Sequence, residues 1–89
     1  MTNLATISVE PSTEYQNLAT LASVTFTAGT TYVIQIKGNV LVSETASKPT
    51  ELGGFHIYNE EPFEFVAASN PLWIRNLDQY EDAIVNIAD

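Results

Sequence analysis

The segment LWIRNLDQYEDAIVNIA, residues 72–88, decides how this chain is read. Leu72 and Ile74 alternate with Trp73 and Arg75, and further on Ala83, Val85 and Ile87 alternate with Ile84, Asn86 and Ala88. Successive side chains of a strand point to opposite faces, so this period of two marks two strands, 72–76 and 83–88, each with one face for a core. Asp78, Gln79, Glu81 and Asp82 form an acidic, polar connection between them, and the pair is expected to close as a hairpin.

Working outward, residues 31–37 carry the same signal, with Tyr32, Ile34 and Ile36 on one face and Val33, Gln35 and Lys37 on the other. Gly38-Asn39 is a two-residue turn signal, so 31–37 and 40–44 are expected to pair antiparallel. Residues 55–59 and 63–67, joined through Glu60, Glu61 and Pro62, read as a second hairpin. Both faces of those two strands carry apolar residues, so their inward face stays open. Residues 45–54, with Ser47, Lys48, Pro49, Thr50 and the turn-forming Gly53-Gly54 pair, have the composition of a surface loop long enough to cross between sheets. Residues 28–30 and 68–71 read as turns.

Near the start, Ile7 and Val9 alternate with Thr6 and Ser8 until Pro11 stops the segment. Residues 1–14 are therefore set apart as an N-terminal strand or docking arm, and residues 15–89 as a single β domain. Tyr15, Leu18 and Leu21 are spaced by three, which suits a helical turn, but the β-branched Thr20, Val24, Thr25 and Thr27 favour extended chain. Residues 15–20 are read as irregular or strand, and 23–27 as strand. The expected fold is all-β: a small antiparallel sandwich, jelly-roll-like, or a barrel, of about seven or eight short strands.

Composition narrows the function. Three Lys and Arg stand against eleven Asp and Glu, a net charge of −8, which leaves almost nothing to neutralise a nucleic-acid backbone. The first residues have neither a basic start nor a long apolar run, so no secretory signal and no membrane contact are expected, and synthesis is placed in a cytoplasm. Without cysteine there are no disulfides and no thiolate metal ligands. A chain of 89 residues buries only about 60 to 65% of its unfolded surface, so association with a partner is the expected aid to stability. The combination of 45% apolar and 16% charged residues agrees with apolar surface left for such a partner.

No constellation for catalysis emerges. His56 is the single histidine, flanked by Phe55 and Ile57, and reads as solvent-facing or locally hydrogen-bonded. No serine sits in a nucleophile motif. The carboxylates Glu60, Glu61 and Glu64, and separately Asp78, Glu81 and Asp82, match no cation-binding loop and read as solvated turn charges. Trp73 with Tyr58, Tyr32 and Tyr80 is an aromatic set of the kind that stacks sugar rings, although a Trp between Leu72 and Ile74 is commoner in cores and interfaces. No catalytic residue, cofactor or metal is expected.

The segments FTAGTTYVIQIKGNVLV (26–42), KPTELGGFHIYNEEPFEFV (48–66) and LWIRNLDQYEDAIVNIAD (72–89) together resemble small bacteriophage virion proteins. The likeness covers residues 26–89 and is carried by Gly54-Phe55, by Leu72-Trp73-Ile74-Arg75 and by the alternation over 83–88. It implies a β-sandwich that decorates or cements a capsid, or sits on a tail or fibre, as a symmetric homo-oligomer with a trimer favoured, in contact with the major capsid or another virion protein. It implies no catalytic residues. Trp73, Arg75 and Tyr58 are the expected interface residues, since aromatic side chains and Arg are the usual anchors. Two other functions are weighed: a receptor- or carbohydrate-binding module, and an acidic mimic of nucleic acid that occupies a basic groove.

Overall fold

A computed structural model describes residues 2–50, 54–58 and 62–89. In chain order the elements are β1 (Asn3–Val9), β2 (Gln16–Asn17), α1 (Leu18–Ala22), β3 (Thr31–Lys37), β4 (Asn39–Glu44), β5 (Phe55–Tyr58), β6 (Phe63–Val66), β7 (Leu72–Asn76) and β8 (Ala83–Ala88). They form two four-stranded sheets, β1-β8-β3-β6 and β2-β7-β4-β5. Every pairing between these strands is antiparallel. The chain is an all-β sandwich, not a barrel.

The order of the strands has a simple origin. β1 pairs with β8, β2 with β7, β3 with β6 and β4 with β5, so each strand meets the one at the mirrored position from the other end of the chain. This is the pattern of one long antiparallel ribbon bent and wrapped into two sheets, and the pairings β3 with β8 and β4 with β7 close the wrap. The resulting order is that of a jelly roll.

The wrap overturns all three hairpins expected from the sequence. β3 and β4, β5 and β6, and β7 and β8 each lie in opposite sheets, so their connections cross the sandwich. Gly38 gives the clearest reason. It alone separates Lys37 from Asn39, too short a link for a two-residue turn, and its φ of 147° turns the chain into the other sheet. A Cβ there would stand 2.8 Å from the Cβ of Ala83, so only glycine allows this corner to pack. Conversely, residues 45–54, expected to cross, join β4 to its neighbour β5 within one sheet. Gly54, at φ 97°, seals that true hairpin, because a Cβ there would lie 2.4 Å from the Val42 carbonyl oxygen.

A second correction concerns residues 18–27. After the irregular Tyr15 and the short strand β2, which agree with the expectation of irregular or extended chain, residues 18–22 make one helical turn. Asn17 Oδ1 accepts from the Thr20 N–H at 3.3 Å, and Ser23, in the left-handed region at φ 55°, caps the other end. A satisfied N-cap outweighs the weak strand preference of Thr20. Leu18 is thereby driven wholly into the core, while residues 24–26 are irregular. Phe26 still reaches inward, edge-on to Tyr32 at 4.8 Å and to Phe65 at 5.5 Å.

The core lies between the sheets. Ile34, Ile36, Val85 and Ile87 face Val40 and Ile74 across it, each at most 1% exposed. On β5 and β6 the inward residues are Ile57 and Phe65, which answers the question both strands left open. Among the described residues Asn76 is the polar exception, 1% exposed and fully paired: Nδ2 donates to the carbonyls of Val9 (2.8 Å) and Glu81 (2.9 Å), and Oδ1 accepts from Asp78 N–H (2.9 Å). It ties the end of β1 to the connection between β7 and β8. The initial segment is an edge strand of the first sheet, longer than the four residues expected, with a register shift between Asn3 and Ala5.

Candidate functional site

The period of β7 places Leu72, Ile74 and Asn76 inward and Trp73 and Arg75 on the outer face of the second sheet. Register extends that face sideways. Ser43 and Asn17 flank Trp73, Leu41 stands beside Arg75, His56 beside Leu41, and Tyr58 beside Asn39. The three expected interface residues therefore share one face, with Trp73 and Arg75 neighbours on β7 and Tyr58 two strands across, about 12 Å from Arg75 and about 16 Å from Trp73 by the register.

Part of this face is covered by its own chain. Tyr15 and Leu41 are 2% and 6% exposed, yet neither belongs to the cluster between the sheets. Two straps lie on this side of the sheet, and Tyr15 is beneath them. Arg75 Nε donates to the Ser12 carbonyl at 3.1 Å, holding residues 11–14 against the sheet. Trp73 Nε1 donates to the Thr45 carbonyl at 2.9 Å, fastening the start of the long β4–β5 loop. The straps are bridged by Lys48 and Glu14, whose charges stand 3.4 Å apart. Thr13, Tyr15, Pro49 and Thr50 line the hollow beneath. Burial raises the pKa of Tyr15, and the nearby positive charge of Arg75 opposes that shift.

Trp73 and Arg75 thus serve the fold as anchors and keep only part of their surface open, whereas Tyr58 is 62% exposed. Beside it His56 pairs through Nε2 with Oδ1 of Asn39, the local hydrogen bond expected of a lone histidine. The four aromatic residues considered for stacking do not assemble: Tyr32 is buried between the sheets and accepts from Thr27 N–H at 2.7 Å, and Tyr80 lies at the tip of the β7–β8 connection. Tyr15 and Leu41 escaped the sequence reading because nothing local marks a residue that an outside loop will cover. Phe55, 78% exposed, and Val66, 57% exposed, are not singled out because both faces of their strands carry apolar residues and the pattern alone does not say which side is open.

Asp78 organises the β7–β8 turn, whereas Glu64, expected among turn charges, lies on strand β6. Asp78 Oδ1 accepts from the Tyr80 and Glu81 N–H groups at 2.9 and 3.0 Å, and these bonds hold its carboxyl below the usual carboxylate range. Glu81, Asp82 and Glu64 are exposed, and no group of three or more His, Cys, Asp or Glu among the described residues is arranged to hold a metal ion. Glu60 and Glu61 lie outside the described residues.

The first sheet presents a different outer face. Thr6 Oγ1 donates to Asn86 Oδ1 at 2.8 Å and Gln35 pairs across from Asn86, giving a neutral polar row. Around that row stand Val33, Ala88, Ile84 and Val66, with Lys37 and Glu64 as the charged members. Comparison of the chain with protein-family models, with curated proteins and with solved structures finds no match in any of the three.

Proposed function

We propose that the chain is a non-enzymatic structural protein of a bacteriophage particle, a capsid decoration or cement protein that binds the virion surface as a homo-oligomer. The observation that carries the self-association is the outer face of the first sheet. In a chain of net charge −8, the described strand residues of that face include one cation, Lys37, and one anion, Glu64, among neutral and apolar side chains, with the exposed Glu10 and Asp82 just past the ends of β1 and β8. Two copies meeting there bring no acidic patches together, the arrangement that association of like-charged molecules requires. A two-fold axis along the Gln35–Asn86 row sets Lys37 of one copy over Val33 of the other, beside that copy's Glu64, so the contact is self-complementary.

The contact with the major capsid protein, or another virion protein, is assigned to the second sheet. There Tyr58 is open to solvent, and Trp73 and Arg75 fix the straps that shape the surface. Association of this kind adds stability by mass action, which suits a core of this size. Peptide mass spectrometry on gradient-purified particles from the source culture tests the assignment. A copy number in simple ratio to the major capsid protein is expected; a chain left entirely in the soluble lysate refutes it.

A further inference from the structure

One end of the sandwich holds a cleft of about 560 Å³, between the α1–β3 segment on one side and residues 67–71 on the other. The helical turn that replaces the rest of β2 makes its wall. The walls are fixed by backbone bonds: Gly29 N–H to the Ala67 carbonyl at 2.8 Å, Ala67 N–H to the Thr30 carbonyl at 3.0 Å, and Val24 N–H to the Ala19 carbonyl at 3.1 Å. A cleft built on loops but tied in this way is preformed, as small-ligand sites usually are.

Its chemistry is selective. None of the residues lining it is ionisable, although the chain carries eleven acidic residues, and it opens at the end opposite Asp78, Glu81 and Asp82. A charged ligand would find no counter-charge there. Hydroxyl and amide groups of Thr20, Ser23, Thr25, Ser69 and Asn70 surround a floor that includes the half-buried Phe26. A purely apolar ligand would strip those groups of water without replacing their hydrogen bonds. A peptide binding by strand addition needs a long free strand edge, and the wall offers helix and irregular chain instead. What matches is an uncharged molecule with many hydroxyls and an apolar ring face. We propose that this cleft binds a neutral sugar residue of a glycan, with Asn70 and Thr25 among its hydrogen-bonding partners and Phe26 under the ring.

The test is a titration of the ¹⁵N-labelled full chain with glucose, galactose, mannose, N-acetylglucosamine and their methyl glycosides, each to about 50 mM because a single sugar ring binds weakly. Glucuronate serves as the charged control. Saturable amide shifts confined to residues 17–26 and 67–72 are expected for at least one neutral sugar, with a smaller response to glucuronate. Asn70→Ala and Thr25→Ala replace exposed side chains, so their spectra report an intact fold; each is expected to weaken binding about tenfold. Absence of cleft shifts across the neutral panel overturns the proposal. So does an equal or stronger response to glucuronate, or wild-type affinity in both variants, or shifts produced only by neutral peptides.

Discussion

Replacing Asn76 removes a buried polar side chain that holds the end of the sandwich together. Asn76→Ala strands three backbone groups at once: the Val9 and Glu81 carbonyls and the Asp78 N–H. The bond to Val9 is buried, so its carbonyl loses a partner that water cannot replace, while the other two sites are partly reached by solvent. An unsatisfied buried group costs about 1–3 kcal/mol, so a total loss of about 3 kcal/mol is expected. A domain of this length has roughly 4–13 kcal/mol to lose, and Tm should fall by about 12–24 °C. Asn76→Asp separates hydrogen bonding from shape, because a carboxylate of the same outline faces two carbonyl oxygens and can donate to neither. It should be worse than alanine at neutral pH. Its folded pKa must be raised, so the penalty is smallest below the unfolded value of about 4, grows as pH rises toward the folded pKa, and is flat above it. Urea unfolding followed by Trp73 fluorescence at pH 5 and pH 8, at one protein concentration, measures both effects. A loss under about 1 kcal/mol for Asn76→Ala, or an Asp variant whose deficit does not change with pH, would refute the reasoning.

Gly38→Ala forces a Cβ into Ala83 at a corner of φ 147°, and should cost about 2 kcal/mol or more by the same urea assay, with Ala83→Gly recovering part of it. Trp73→Phe and Arg75→Met keep bulk but delete the bonds to Thr45 and Ser12; each should cost about 1 kcal/mol and speed amide hydrogen exchange in residues 45–50 and 11–14 respectively, with β3 and β8 unchanged. Unchanged exchange in the straps would show that these side chains do not hold them. The depressed pKa of Asp78 means that its contribution is present above the unfolded carboxylate pKa and is lost as pH falls through the folded value, below about pH 4. A carboxyl titration by NMR should give Asp78 a midpoint below the ordinary aspartate value, and Asp78→Ala should loosen the Tyr80 and Glu81 amides.

Alternation of apolar and polar residues is enough to place most strands from sequence. The bounds 31–37, 72–76 and 83–88 are those of β3, β7 and β8, and the inward residues Ile34, Ile36, Ile74, Val85 and Ile87 follow from the same pattern. Side-chain period depends only on the local backbone, so it reports which face is buried and says nothing of which strand lies alongside. Pairing is therefore where the linear reading fails. A jelly roll and a chain of hairpins bury the same faces, and one corner that the jelly roll needs, at Gly38, packs against Ala83, 45 positions later.

The same limit governs the sites. Trp73, Arg75 and Tyr58 are legible as prominent side chains on strands, and the register sets them on one face. The bonds of Trp73 to Thr45 and of Arg75 to Ser12, the burial of Tyr15 and Leu41, and the neutral cleft beside α1 all arise from segments distant in sequence that meet only after folding. Local propensity and periodicity determine strands and inward faces because they act within a few residues. Partners, corners and clefts belong to the tertiary structure because long-range packing alone brings their two halves together.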